Sequence, residues 1–307
     1  MKKDSPRRHR LILAAPIYPD QTSQTNGLLL AESLRAFAGD LAQAPVWFFS
    51  PEDGDDLSPA FESRLLGLDV NLIRIDMEAE ILRFPLGAEA CLAAGAEAAL
   101  EDQASLLAWL GANTVVLGAP VDFLLPENKR LGVRPVHHLL IGSRLDQPLD
   151  PFWGQIYSYC RVPAGHIFPM TTHIDAVEIR PYFNAGSLLV RPEEGLLRSW
   201  RQAFLEIYHQ PAMQAFYRSD AMYKIFIHQA VLAGVILAAY SPAQIHTLPP
   251  TYNYPLHLYE EDITGTRPGC LEELVTFRHE GFYQDAHWME EMPAGEPLKR
   301  WLAERLA

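Results

Sequence analysis

Tyr182-Phe-Asn-Ala-Gly-Ser-Leu-Leu189 joins two kinds of pattern within eight residues. Its first half, preceded by Pro181, carries the Asn and Gly of a turn. Its second half opens the apolar run 186–191, which reads as a strand, with residues 176–180 as the strand before the turn. Toward the N-terminus, short apolar runs alternate with helical spacing. Residues 11–17, 46–49, 70–75 and 106–110 read as strands, and 28–37, 59–66 and 86–100 as helices. This β-α-β-α order predicts an α/β fold: a mixed, mostly parallel sheet with helices on both faces, and a ligand beyond the carboxyl ends of the strands.

Outward in the other direction the pattern is less regular. Residues 114–117 and 136–141 read as strands. Residues 151–160 read as a helix capped by Asp150, with Pro151 in its first position. Helices over 193–208 and 220–237 follow, then a long loop over 248–269, a short strand over 275–278 and a terminal helix over 297–306. We expect one domain over residues 1–282 and a C-terminal helical extension, 283–307, packed on it.

The chain has 307 residues and a formal net charge of −13, and 49% of it is hydrophobic. That is enough apolar material for a sizeable core, so a wholly disordered chain is excluded. Nucleic acid is not an expected partner, because phosphate neutralisation needs a positive face. Cys91, Cys160 and Cys270 form no zinc or disulfide spacing. The opening ten residues are basic and precede an apolar run, as in a signal peptide, but that run is only seven residues long and contains Pro16, so it reads as a strand. No stretch reaches the roughly 18 apolar residues of a membrane span. The expected location is cytoplasmic.

Four segments carry the chemistry: Leu107-Ala-Trp-Leu-Gly-Ala-Asn-Thr-Val-Val-Leu117; the 182–189 stretch; Ile227-His-Gln-Ala-Val-Leu232 with Leu248-Pro-Pro-Thr-Tyr-Asn-Tyr254; and Phe277-Arg-His-Glu-Gly281. In this order they resemble the GT-A nucleotide-diphosphosugar transferases, especially the glycogenin-like and galactosyltransferase-like retaining families. Those enzymes show a strand ending in Asp-x-Asp, a Phe-Asn-Ala-Gly turn, an Asp-Gln helix start, a Leu-Pro-x-x-x-Asn segment and a late His-x-x-Gly. The resemblance spans residues 10–282, and Phe183-Asn184-Ala185-Gly186 is its most specific part.

The chain departs from the pattern at its centre. Gly111-Ala112-Asn113 stands where the family has Asp-x-Asp, and His228-Gln229 where it has Asp-Gln. Mn²⁺ or Mg²⁺ is the family's expected cofactor, held by those carboxylates, and both are absent here. His279 matches the family's late metal-binding His but would hold an ion poorly alone. The resemblance implies a glycosyltransferase-like protein that binds a nucleotide-diphosphosugar, with UDP-sugar first among donors, and passes a hexose to a hydroxyl acceptor of unknown identity. Without metal, a protein cation must stabilise the departing diphosphate; Arg278 is the first candidate and Arg83 the second. Tyr18 stands where the base stacks. Gly111, Asn113, Asn184, Ala185, Gly186, Gln229 and Gly281 fall where the family binds its substrates, and Gln229, His228 and Arg278 would act on the reacting groups. The alternative is a catalytically inactive binding or scaffold protein on the same fold.

Overall fold

The computed structural model describes residues 9–52 and 56–306. The basic opening stretch over residues 1–8, which prompted the signal-peptide comparison, lies outside them.

In chain order the strands are β1 (Ile12–Pro16), β2 (Val46–Pro51), β3 (Val70–Ile75), β4 (Leu107–Leu110), β5 (Thr114–Val116), β6 (Leu131–Pro135), β7 (Met170–Thr171), β8 (Glu178–Ile179), β9 (Phe183–Val190), β10 (Ile245–Thr247), β11 (Tyr254–Pro255) and β12 (Thr276–Arg278). The helices are α1 (Gln21–Phe37), α2 (Pro59–Gly67), α3 (Ala79–Arg83), α4 (Gly87–Leu100), α5 (Pro151–Cys160), α6 (Leu196–Ile207), α7 (Pro211–Ser219), α8 (Ala221–Ala239), α9 (Trp288–Glu291) and α10 (Glu296–Leu306). Seven strands form the main sheet in the order β10-β6-β9-β4-β1-β2-β3. Only β9 runs against the rest, pairing antiparallel with both β4 and β6. A second sheet, β11-β12-β5, flanks it.

Burial on both faces explains the unbroken apolar runs of β1 and β4. Alternate residues of β1 enter opposite layers. Ile12 and Ala14 join a core under α4, α5, α6 and α8, whereas Leu13 and Ala15 join one under α1 and α2. Asp150 caps α5 by accepting from the Trp153 N–H at 3.0 Å. α8 is long and apolar enough to cross a membrane, but residues 227–237 are buried inside the protein and it is packed as a core helix. Gly234 permits that packing: a Cβ there would stand 2.6 Å from Cys160 Sγ.

Several expected boundaries need correction. Residues 183–186 are not a turn; they begin β9. Opposite them the register jumps, because β6 advances from Val133 to Pro135 while β9 passes from Leu188 to Phe183. The segment therefore bulges from the β6 ladder while its Gly186 end stays beside β4. The strand expected over 136–141 lies earlier, as β6, which ends at Pro135. α7 was not anticipated. The long loop contains β11 and short 3₁₀ turns. Beyond residue 282, α10 packs Leu298 and Leu302 into a cluster with Leu29, Val115 and Phe277, and the Tyr283 hydroxyl donates to Asn26 of α1 at 2.7 Å.

Candidate active site

The carboxyl ends of β1 and β4 meet the start of β9 and the end of β12 at one rim of the sheet. Because β9 runs backwards, its first residues arrive where its neighbours finish. With α1, α4 and α8 these ends enclose a cavity of about 300 Å³, walled by Tyr18, Glu89, Gly111, Asn113, Ala185, Gly186, His228, Gln229 and Arg278, among others.

Local hydrogen bonding fixes each wall. Asp20 caps α1 through the Ser23 N–H (2.8 Å), and the Ser23 hydroxyl accepts from the Tyr18 N–H (2.9 Å). Tyr18 is thereby held at the mouth of β1, with its hydroxyl donating to Glu89 Oε1 at 3.0 Å. Beyond β4, the Gly111 N–H donates to the Gly186 carbonyl (2.9 Å), and the Thr114 N–H closes a turn on the Gly111 carbonyl (3.1 Å). A Cβ on Gly111 would stand 2.8 Å from Asn113 Oδ1, so the tight turn favours glycine. The Asn184 side chain accepts from the Gly186 N–H (2.9 Å), and its amide nitrogen faces His137 Nε2 at 3.4 Å. Gln229 reaches from α8 to accept from the Ala185 N–H at 3.1 Å. His228 Nδ1 lies 3.0 Å from the Ile225 carbonyl; a carbonyl only accepts, so Nδ1 carries the proton and Nε2 is an acceptor. Burial first, and Arg278 second, push the His228 pKa down to about 4, so the ring is neutral.

Arg278 supplies the cavity's positive charge. Its Nη2 donates to Glu280 at 3.0 Å, and its Nε is buried without a partner. Its Nη1 lies 3.8 Å from where a Gly186 Cβ would stand, so glycine leaves the guanidinium room beside the β9 bulge. Sequence reasoning missed Glu89. Burial raises its carboxyl above the usual range, while the Tyr18 hydroxyl and Arg278 pull it back down. The only signal is an acid within the small-residue run of α4.

Other expected residues fall elsewhere. Arg83 ends α3 and is exposed, outside the cavity wall. Asn184 is buried behind the wall, with its side-chain oxygen turned to the backbone. Gly111, Asn113 and His279 do meet: Asn113 Nδ2 donates to the His279 carbonyl at 2.6 Å, and the His279 N–H returns a bond to the Asn113 carbonyl at 3.1 Å. The His279 ring, however, borders a neighbouring cavity, as does Gly281. Its Nδ1 accepts from the Gly281 N–H at 3.1 Å, and its Nε2 has no partner.

This donor set does not fit Mn²⁺ or Mg²⁺. Gly111 offers no ligand, and Asn113 offers one neutral oxygen. The nearby carboxylates, Asp20 and Glu89, are engaged by a helix cap and a tyrosine, and a guanidinium shares the space. Among the described residues no group of three or more His, Cys, Asp or Glu side chains is placed to hold a metal ion.

The sequence model of the Rhodobacterales glycosyltransferase domain matches residues 17–239. No curated protein matches the sequence. Among solved structures, the galactosyltransferase LgtC, in complex with donor and acceptor sugar analogues, superposes with a TM-score of 0.52 at 14% identity, covering 96% of this chain and 95% of that one. The glycosyltransferase GlyE of Streptococcus pneumoniae TIGR4 superposes at 0.51 with 12% identity, covering 98% of this chain and 60% of that one. At such identities the likeness establishes the fold, a GT-A-like sheet with helices on both faces.

Proposed function

The chain belongs to the Rhodobacterales glycosyltransferase domain family, and from that premise we propose that it moves a hexose from a nucleotide-diphosphosugar to a hydroxyl acceptor with a protein cation in place of a metal. The observation that carries this reading is the Arg278 guanidinium, set beside Gly186 with its Nε unpartnered. Transfer breaks the bond between the anomeric carbon and the diphosphate oxygen, and negative charge grows on that oxygen. A preorganised cation in a partly desolvated cavity stabilises such charge far better than water does. Arginine suits the task because its planar fork matches phosphate oxygens and stays protonated.

The remaining walls divide the substrate between them. Tyr18 offers an aromatic face to the base, for which UDP is our first choice, a preference supported by the family resemblance alone. Gln229 and the backbone of Ala185 and Gly186 face the sugar. Neutral His228 presents Nε2 as an acceptor for a sugar hydroxyl. A scaffold without turnover is not favoured, because the chain belongs to a transferase family and its cavity keeps a cation where the leaving group needs one. A cytoplasmic setting belongs to the same reading, supported by Cys91, Cys160 and Cys270 as free thiols.

Calorimetric titration with UDP, GDP and their sugars, with Mn²⁺ or with EDTA, tests the reading. We expect binding and donor turnover that survive EDTA. Arg278→Met should lower turnover by about 10²–10³-fold, as loss of one charge-stabilising donor does elsewhere. Binding that requires Mn²⁺ would overturn the metal-free reading, and no binding of any nucleotide would overturn the donor assignment.

A further inference from the structure

Arg134 is a buried cation without a counter-ion. It stands on β6 and is 4% exposed. Its Nη1 donates to the Leu248 carbonyl at 2.6 Å, and its Nε has no partner. Among the described residues, no carboxylate forms an ion pair with it. Burial lowers its pKa only to about 10, so it stays charged at neutral pH. Beside it, His173 is 5% exposed with both ring nitrogens unpartnered. Its backbone is fixed by the bond from its N–H to the Val136 carbonyl (3.0 Å). Burial, reinforced by Arg134, holds the imidazole neutral. One ring nitrogen therefore carries a hydrogen that nothing accepts.

Both side chains line one cavity of about 480 Å³, distinct from the cavity that holds Arg278. Its mouth carries the exposed residues Thr171, Thr247 and Thr266. None of its lining residues is acidic, in a chain with a net charge of −13. The carboxylate on the His173 side, Asp262, is already engaged by the Tyr254 hydroxyl (2.9 Å) and by the N–H and hydroxyl of Thr264 (2.9 and 2.6 Å). An isolated guanidinium withdrawn from water is strongly unfavourable unless an anion joins it, and the chain supplies none here.

We infer that the cavity bounded by Arg134 and His173 is an oxyanion site for a phosphate group. Arg134 supplies charge and directed N–H donors, His173 a neutral N–H donor, and the rim threonines hydroxyl donors. The site lies outside the cavity proposed for the nucleotide and does not depend on that reading.

The test is titration of inorganic phosphate into Arg278→Met protein, which lacks the other cavity's cation, with calorimetry and thermal melting as readouts. We expect saturable binding at one site and a melting point that rises with phosphate. Arg134→Lys keeps the charge but loses the fork and should bind about ten-fold more weakly. Arg134→Met should bind no phosphate, yet melt no lower than its parent in phosphate-free buffer, because it removes a lone buried charge. His173→Phe, which keeps Arg134 and fills the ring's place, should weaken binding several-fold. Glucose 6-phosphate binding more tightly than the free ion assigns a phosphorylated sugar; equal or weaker binding assigns the free ion. Absence of saturable binding in the parent would overturn the inference, as would binding untouched by both Arg134 substitutions.

Discussion

Asn113 and His279 lie 166 residues apart and hold each other by two hydrogen bonds, one from the Asn113 side chain and one returned by the His279 backbone. The pair ties the turn after β4 to the end of β12 and so fixes Arg278, the next residue back, against the cavity. Asn113→Asp removes the donor and sets a carboxylate against a carbonyl. We expect a loss of about 1–3 kcal/mol in stability, the usual range for orphaning a buried acceptor. Urea melts check this. The deficit against wild type should shrink at acid pH, where the introduced carboxyl takes up a proton and can donate again.

A second variant probes the absent ion pocket. Gly111→Asp combined with Asn113→Asp brings two carboxylates into a space where a Cβ at position 111 would stand 2.8 Å from the side-chain oxygen of residue 113. Their mutual repulsion should lower the melting point, and Mn²⁺ should restore it. Wild type should not respond to Mn²⁺. Equal responses in the two proteins would refute the placement of the lost metal site.

Tyr18 separates packing from polarity. Tyr18→Phe keeps the ring but leaves Glu89 without its hydroxyl partner. Nucleotide affinity should change by no more than a few fold, and the Glu89 carboxyl should become harder to ionise. Tyr18→Ala should weaken nucleotide binding by about 10–100-fold, the measure of one base–aromatic stack. Calorimetry on both variants decides it; an Ala variant that binds like wild type would remove Tyr18 from the base site.

Acid stability follows from four imidazoles withdrawn from water. His173, His228 and His279 are held at pKa values of about 3, 4 and 3, against an ordinary 6.5, chiefly by burial, and burial with Arg278 beside it holds His137 well below its ordinary value too. Below pH 6.5 the unfolded chain takes up protons that the folded protein refuses, so stability is full above that pH and falls as pH drops. One unit below, the first three together remove about 4 kcal/mol, and His137 adds to that loss. Glu97 works the other way. It is buried between α4 and the start of α6, accepts from the Leu197 and Arg198 N–H groups, and is pushed up to about 6. Between pH 4.5 and 6 the folded state binds its proton first, which offsets part of the loss. Denaturant melts from pH 7.5 to 5 should therefore show a net uptake on unfolding that rises to about three protons at pH 5; a flat profile would contradict the burial of these rings.

Much of the architecture was readable from periodicity, and for identifiable reasons. β1 to β4 are short apolar runs because both sheet faces are covered, and α5 announces itself through Asp150 and Pro151. β6 was hidden because Leu-Gly-Val-Arg-Pro carries two residues that disfavour a strand, Gly132 and Pro135, and its arginine is buried where local pattern expects solvent. α7 is only nine residues long and fully buries Met213 alone, with Ala212, Phe216 and Tyr217 half-buried, so its short stripe merged with those of its longer neighbours α6 and α8. The motif segments bring Gly111, Gly186, Gln229 and Arg278 to one cavity, while Leu248 and His279 border other cavities, and the sequence could not say which side chains would face which. Asn184 turns to the backbone and Arg83 to solvent, whereas Glu89 turns inward from α4. Facing is decided by tertiary packing, and a single sequence records that only through periodicity.

The reversed strand β9 also sets an order of completion. β4 and β6 lie on either side of it and make no ladder with each other. A chain that has emerged only as far as residue 182 holds both with bare edges and nothing to join them. Such edges recruit strands from other molecules. Premature termination anywhere between β6 and Phe183 should thus yield aggregating fragments instead of a smaller soluble unit, and the eight residues of β9 act as the keystone of biosynthesis.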